Sequence, residues 1–119
     1  MFAAHRKLDN MCWIADLNGL QIDGPVCEVA GMINVKAKFE GFGFHAIELD
    51  GHDFEAIEKA FAEAKTVEGK PTVLLLKTVK GKGVSFMENQ VGWHGSAPND
   101  EQYEIAMADL KKALAEVEA

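Results

Sequence analysis

The sequence predicts an α/β layered fold built on a parallel sheet, and three observations carry that expectation. Strand-like and helix-like stretches alternate along the 119 residues. The run Val73-Leu74-Leu75-Leu76 is continuously apolar, as in a strand buried on both faces. Two irregular loops, 17–27 and 80–98, each follow a predicted strand and so leave one edge of the sheet. In such sheets ligands gather at the carboxyl ends of the strands.

The elements follow in order. "MFAAHRKLDN" reads as the last two turns of a helix, closing at Lys7 and the Asp9-Asn10 pair, so the chain looks cut at its start. "MCWIAD" (11–16) is a short apolar run, expected as a buried strand with Cys12 a small hydrophobe inside it. After a loop to about Val26, "EVAGMINVKAKFEGFG" (28–43) is expected to be a helix. Val29, Met32, Ile33 and Phe39 would turn inward, and Gly41 and Gly43 would end it, although Gly31 is unfavourable within it.

"FHAIELD" (44–50) alternates, which predicts a second strand. The next segment sets Phe54, Ile57, Phe61 and Ala64 on one helical face, with Asp53 and Glu55 where the helix dipole favours negative charge. "KPTVLLLKTV" (70–79) is the clearest strand. From Lys80 to Pro98 no period survives, yet Phe86, Met87, Val91 and Trp93 argue against disorder. Asn99 and Gln102 form a capping box before a last helix, whose stripe is Tyr103, Met107, Leu110, Leu114 and Val117.

Composition narrows the function. One domain is the expectation for this length. Twelve Lys and Arg against 19 Asp and Glu give a net charge of −7, which argues against nucleic acid as a partner. No apolar stretch approaches the roughly 18 residues of a membrane span, and the start is too polar for a signal peptide. Cys12 and Cys27 form neither a CxxC pair nor a disulfide framework, so a cytoplasmic location is the default.

Three places could carry chemistry. The amide oxygen of Asn18, beside backbone carbonyls, suits a hard cation such as Mg2+ when a phosphate supplies further oxygens. Taken alone, Asn18-Gly19 is more often simply a turn. "KGKG" (80–83) offers close backbone approach and point charges for phosphate, but it is no P-loop, and taken alone it is more often a solvated basic turn. His94 in "WHGSAP" could donate to an anion or shuttle a proton, or could simply brace its own loop. His52 fits a capping or turn role better than catalysis, and no zinc spacing or G-x-S-x-G motif occurs.

Taken together, "KLDN", "NGLQIDG", "FGFHAIELDGHDFEAI" and "GKPTVLLLKTVKGKGVSFMENQVGWHGSAPND" closely resemble the thiamine-diphosphate-binding half of transketolases, over essentially the whole chain. The match looks nearest to the two-subunit type. The resemblance implies a three-layer domain with a parallel sheet, a partial thiamine-diphosphate-binding fold in which 1–119 is the C-terminal portion of the diphosphate-binding domain. It implies transfer of a two-carbon ketol unit between sugar phosphates in the pentose phosphate pathway, with thiamine diphosphate and Mg2+ or Ca2+ as cofactors. Asn18 then falls on a side-chain ligand of the metal, and Leu20 on a position that offers it a backbone carbonyl. Ile22 falls where an apolar side chain packs on the cofactor, Lys80 and Gly81 where the chain lines the diphosphate, and His94 between cofactor and sugar.

The implied partners are the pyrimidine-binding half of the enzyme, in the same chain or as its own subunit, and further copies, as a homo-oligomer or heterotetramer. The family's Gly-Asp-Gly, whose Asp is another metal ligand, would lie upstream of Met1 and occurs nowhere here. The isolated chain is therefore expected to be inactive or nearly so, with exposed apolar edges. A deoxyxylulose-phosphate synthase is the alternative enzyme, opposed by "GVSFMENQVGWHG"; a non-catalytic remnant or interaction module is the alternative of another class.

Overall fold

β5 (Thr72–Lys77) is the centre of a three-stranded parallel sheet, flanked by β1 (Cys12–Leu17) and β4 (His45–Asp50). This is a computed structural model, and it describes residues 1–118. Val73, Leu74 and Leu75 are 0% exposed, which explains their unbroken apolar run: neighbours on both sides and cover on both faces leave no polar position. The register is in step across the sheet, with Ile14 and Ile47 both opposite Leu74.

The chain falls into two units, residues 1–18 with 30–78, and Gly19–Val29 with the stretch from Val79 onward. The first holds the sheet. On one face, Phe44, Ala46, Val73 and Leu75 form the core, and Ala3, Ala15, Leu17, Val35 and Phe39 pack against it. Ala3 comes from α1 (Phe2–His5), and Val35 and Phe39 from α3 (Val35–Gly41). Gly43 (φ +88°) lets α1 approach, since a Cβ there would lie 2.9 Å from Cβ of Ala4. Alternation puts His45 on the opposite face, where its Nε2 lies 2.6 Å from Glu63 Oε1 of α4 (Phe54–Ala64). Helices thus cover both faces of the sheet, as the predicted layering requires.

Several expectations change. β1 is an edge strand, paired only with β5 among the described residues, so it is not buried: Trp13 is 49% and Ile14 59% exposed, and Cys12 is exposed too. Trp13 still packs edge-on against Phe39 and Phe44, with ring centroids 6.2 and 5.5 Å away. α1 is a single turn of four residues rather than two. The helix expected over 28–43 is replaced by α2 (Val26–Val29) and α3, with residues 30–34 non-helical between them and Asn34 in the left-handed region (φ 50°). Its side chain accepts from the Ala37 N–H at 3.0 Å and starts α3 afresh. Val29, Met32 and Ile33 consequently stay exposed.

In α4, Asp53 caps the start by accepting from the Ala56 N–H at 3.0 Å. The buried positions are Ala60 and Ala64, one turn apart, while Phe54 is exposed. Small residues, not the phenylalanine, make the close approach.

The second unit begins with a feature not foreseen from the sequence, an antiparallel hairpin of β2 (Leu20–Gln21) and β3 (Gly24–Pro25) around Ile22-Asp23. Val26 N–H donates to the Gly19 carbonyl at 2.9 Å and closes it. A stretch of turns leads to a 3-10 turn at Val91–His94 and then to α5 (Asp100–Val117). Asn99 and Gln102 form the predicted capping box, both bonds at 2.9 Å. The predicted α5 stripe is mostly uncovered, since Tyr103, Leu110, Leu114 and Val117 are exposed and Ala106 is the buried residue. No helix among the described residues is long and apolar enough to cross a membrane.

Candidate functional site

Because β1, β5 and β4 are parallel and in register, Leu17, Lys77 and Asp50 end together at one edge. That edge is tied by side chains as well as backbone. The Thr78 hydroxyl donates to Asp16 Oδ1. Gly51 N–H donates to the Lys77 carbonyl at 2.8 Å, and His52 N–H to Asp50 Oδ1 at 2.9 Å. The His52 backbone thus takes the turn role expected of that segment.

Asn18 follows β1 directly and is half-buried, in the first unit. The other five predicted site residues belong to the second. Leu20 is the first residue of the hairpin and Ile22 is at its tip, exposed. Lys80 opens the long loop, and its carbonyl accepts from the Asn89 N–H at 2.9 Å. Gly81 has φ +71°, and a Cβ on it would lie 2.6 Å from the Met87 carbonyl oxygen. Only glycine fits there without displacing backbone. His94 ends the 3-10 turn with its side chain exposed.

The loop is folded, not a solvated turn. Gly83 N–H donates to Glu88 Oε1 at 3.0 Å, and Lys82 Nζ lies 3.9 Å from the same oxygen. Phe86 and Trp93 meet edge to face at 5.2 Å, and the Trp93 indole donates to the Phe86 carbonyl at 3.1 Å. Ser96 hydroxyl donates to the Gly92 carbonyl at 3.0 Å, just beside His94. Asp109 of α5 accepts twice from Ser85, and those two bonds, backbone first, hold its carboxyl below the usual carboxylate range. Neither Glu88 nor Asp109 stood out in the sequence as a support. Glu88 was within local reach of "KGKG", whereas nothing short-range pointed to Asp109.

The side-chain amide oxygen of Asn18 is a hard donor of the kind a divalent metal takes. The close approach at Gly81 is made to the loop's own Met87 backbone. No group of three His, Cys, Asp or Glu able to hold a metal occurs among the described residues. An apolar hollow of about 620 Å3 in the first unit, lined by Phe2, Met11, Trp13, Phe39 and neighbours, includes none of the six site residues.

A parallel α/β sheet with its irregular loops at the carboxyl edge defines the class, and the family follows. The family described as the thiamine diphosphate binding domain of transketolase matches residues 1–115, and the chain belongs to it. It is 38% identical over 112 residues to a 6-deoxy-6-sulfo-D-fructose transketolase subunit of a Clostridium species, covering 94% of this chain and 41% of that one. It is 37% identical over 112 residues to an apulose-4-phosphate transketolase subunit from Phocaeicola vulgatus, covering 94% and 40%. The crystal structure of transketolase from Campylobacter jejuni superimposes with a TM-score of 0.85 at 35% identity, over 92% of this chain and 17% of that one. The chain therefore spans about two fifths of the length of the two subunits.

Proposed function

We propose that this chain supplies the metal-and-diphosphate side of the thiamine diphosphate site in a transketolase that moves a two-carbon ketol unit between sugar phosphates. One observation carries the reading: the family match runs through residues 1–115, and Asn18 stands at the carboxyl end of β1 within it.

The side-chain oxygen of Asn18 and the carbonyl of Leu20 would hold Mg2+ together with the diphosphate. Ile22 packs against the cofactor and keeps water from it. Lys80 offsets diphosphate charge, and Gly81 lets the backbone come close. Thiamine diphosphate, when bound, supplies the nucleophilic carbon that the reaction needs. His94 orients a substrate oxygen and moves a proton at it, a role that an exposed imidazole at the end of a 3-10 turn allows. The aminopyrimidine side comes from the other half of the enzyme, on a separate polypeptide or in another part of a longer chain. The relatives named as subunits favour the first arrangement. The free thiols Cys12 and Cys27 suit a reducing, cytoplasmic compartment.

Titration of thiamine diphosphate into the 119-residue chain, with and without Mg2+, tests the reading. Saturable binding that requires Mg2+ and weakens about tenfold or more in Asn18→Ala supports it. Binding indifferent to Mg2+ or to Asn18 overturns it. Ketol transfer is expected of the parent enzyme and not of the isolated chain.

A further inference from the structure

At the carboxyl edge of the sheet the backbone ladder stops at Leu17 opposite Lys77. One step further, register would set Asn18 opposite Thr78. There a side-chain bond takes over, running diagonally from the Thr78 hydroxyl back to the carboxylate of Asp16. We propose that Asp16 is a positioning residue, which through Thr78 locks the ends of β1 and β5 together and so fixes where Asn18 is presented to its metal; the last step rests on the function proposed above.

Three features single out this pair. Asp16 is the one charged residue in the strand CWIADL, and among the described residues no lysine or arginine pairs with it. Its acceptor is used instead on a neutral hydroxyl 62 residues away, at the point where β1 gives way to the Asn18 loop.

Thr78 is fixed from the other side as well. A Cβ on Gly51 would lie 2.5 Å from the Thr78 methyl carbon, so the backbone after β4 is pressed against that methyl. The Gly51 N–H is bonded to the Lys77 carbonyl in the same place. The room that glycine leaves at position 51 thus lets the turn after β4 lie beside the Thr78 side chain whose hydroxyl bonds Asp16.

Asp16 and Asn18 are two residues apart on one extended chain, so displacement of the first carries the second with it. A shift of about an ångström at a ligand matters at a metal site, because hard cations demand close oxygen distances. No contact between Asp16 and metal or cofactor is needed for this role.

The test uses the whole chain and two readouts, amide hydrogen exchange and the affinity for thiamine diphosphate with Mg2+. Thr78→Val keeps the branched shape and removes the hydroxyl. It should speed exchange at Leu17, Asn18 and Gly19 about tenfold, leave Leu74 and Leu75 unchanged, and weaken the cofactor complex by a similar factor. Thr78→Ser, which keeps the hydroxyl, should restore both, and Asp16→Ala should match Thr78→Val. Exchange at Asn18 that does not change in Thr78→Val overturns the inference. So does a uniform rise across the sheet, which would mark a merely structural role, and so does an unaltered affinity alongside local loosening. Where the wild-type chain has no affinity for the cofactor, the exchange data decide the Asp16–Thr78 lock by themselves.

Discussion

Ser85 and Asp109 meet twice: the backbone N–H and the hydroxyl of Ser85 both donate to Asp109 Oδ2, at 2.9 and 2.7 Å. This ties the loop that opens with Lys80 to the third turn of α5. These bonds hold the Asp109 carboxyl below its unfolded value, so their contribution is complete above the ordinary aspartate pKa of about 4. It is lost as pH falls through the lowered value. Asp109→Ala should therefore expose the Ser85 amide to faster exchange at neutral pH. Wild type and variant should converge in strong acid, a trend that amide exchange across a pH series would follow.

Gly81 offers a sharper test of how the loop is packed. With φ +71° and the Met87 carbonyl 2.6 Å from any added Cβ, Gly81→Ala should destabilise by about 2 kcal/mol, read from denaturant unfolding. A neutral outcome would mean that Met87 can move aside.

Leu75 and Ile14 contrast the centre of the sheet with its edge. Leu75 is 0% exposed, and Leu75→Ala should cost about 3 kcal/mol. Ile14 is 59% exposed, so Ile14→Ala should cost under about 1 kcal/mol. Similar losses at both would show that β1 is covered in solution.

Thr72 is 1% exposed, and its hydroxyl has no hydrogen-bond partner among the described residues. Thr72→Val keeps the branched shape and removes the buried polar atom. It should stabilise by about 1 kcal/mol in thermal or denaturant unfolding.

Asn99→Ala removes half of the capping box and should cost about 1 kcal/mol, with faster exchange at the Gln102 and Tyr103 amides. Asn99→Asp, which keeps the acceptor, should lose little.

What could be read from the sequence was what local chemistry or two-sided burial imposes. Val73, Leu74 and Leu75 announced the central strand because no position there faces water. Asn99 and Gln102 announced a helix start because both capping bonds span three residues. The run Met11 to Ile14 looked equally apolar, but composition cannot tell an edge strand from a buried one. Periodicity failed in the same way at α5, since it says which side chains share a face and not what covers that face. The hairpin from Leu20 to Pro25 was too short to show any period, and the non-helical residues 30–34 interrupt a helix that the pattern alone would continue.

At the carboxyl edge, Asn18 on its own chemistry favoured a turn. Its suggested role came from the wider resemblance. The pairs Asp16 with Thr78 in the first unit and Ser85 with Asp109 in the second are joined across 62 and 24 residues, where sequence patterns carry no signal.

The register that aligns the strand ends also sets an order of events as the chain folds. β4 and β5 are bridged by one helix, α4, with His45 opposite Thr72, whereas Cys12 must find the same Thr72 across some sixty residues. Each doubling of a closed loop adds about 0.6 kcal/mol of entropic cost, and distant pairings slow the search. The β4-α4-β5 unit should therefore zip first and β1 should dock last. Asn18, riding on the last strand to dock, would then take its place only after the rest of the sheet has formed, and substitutions in β1 should accelerate unfolding more than they slow folding.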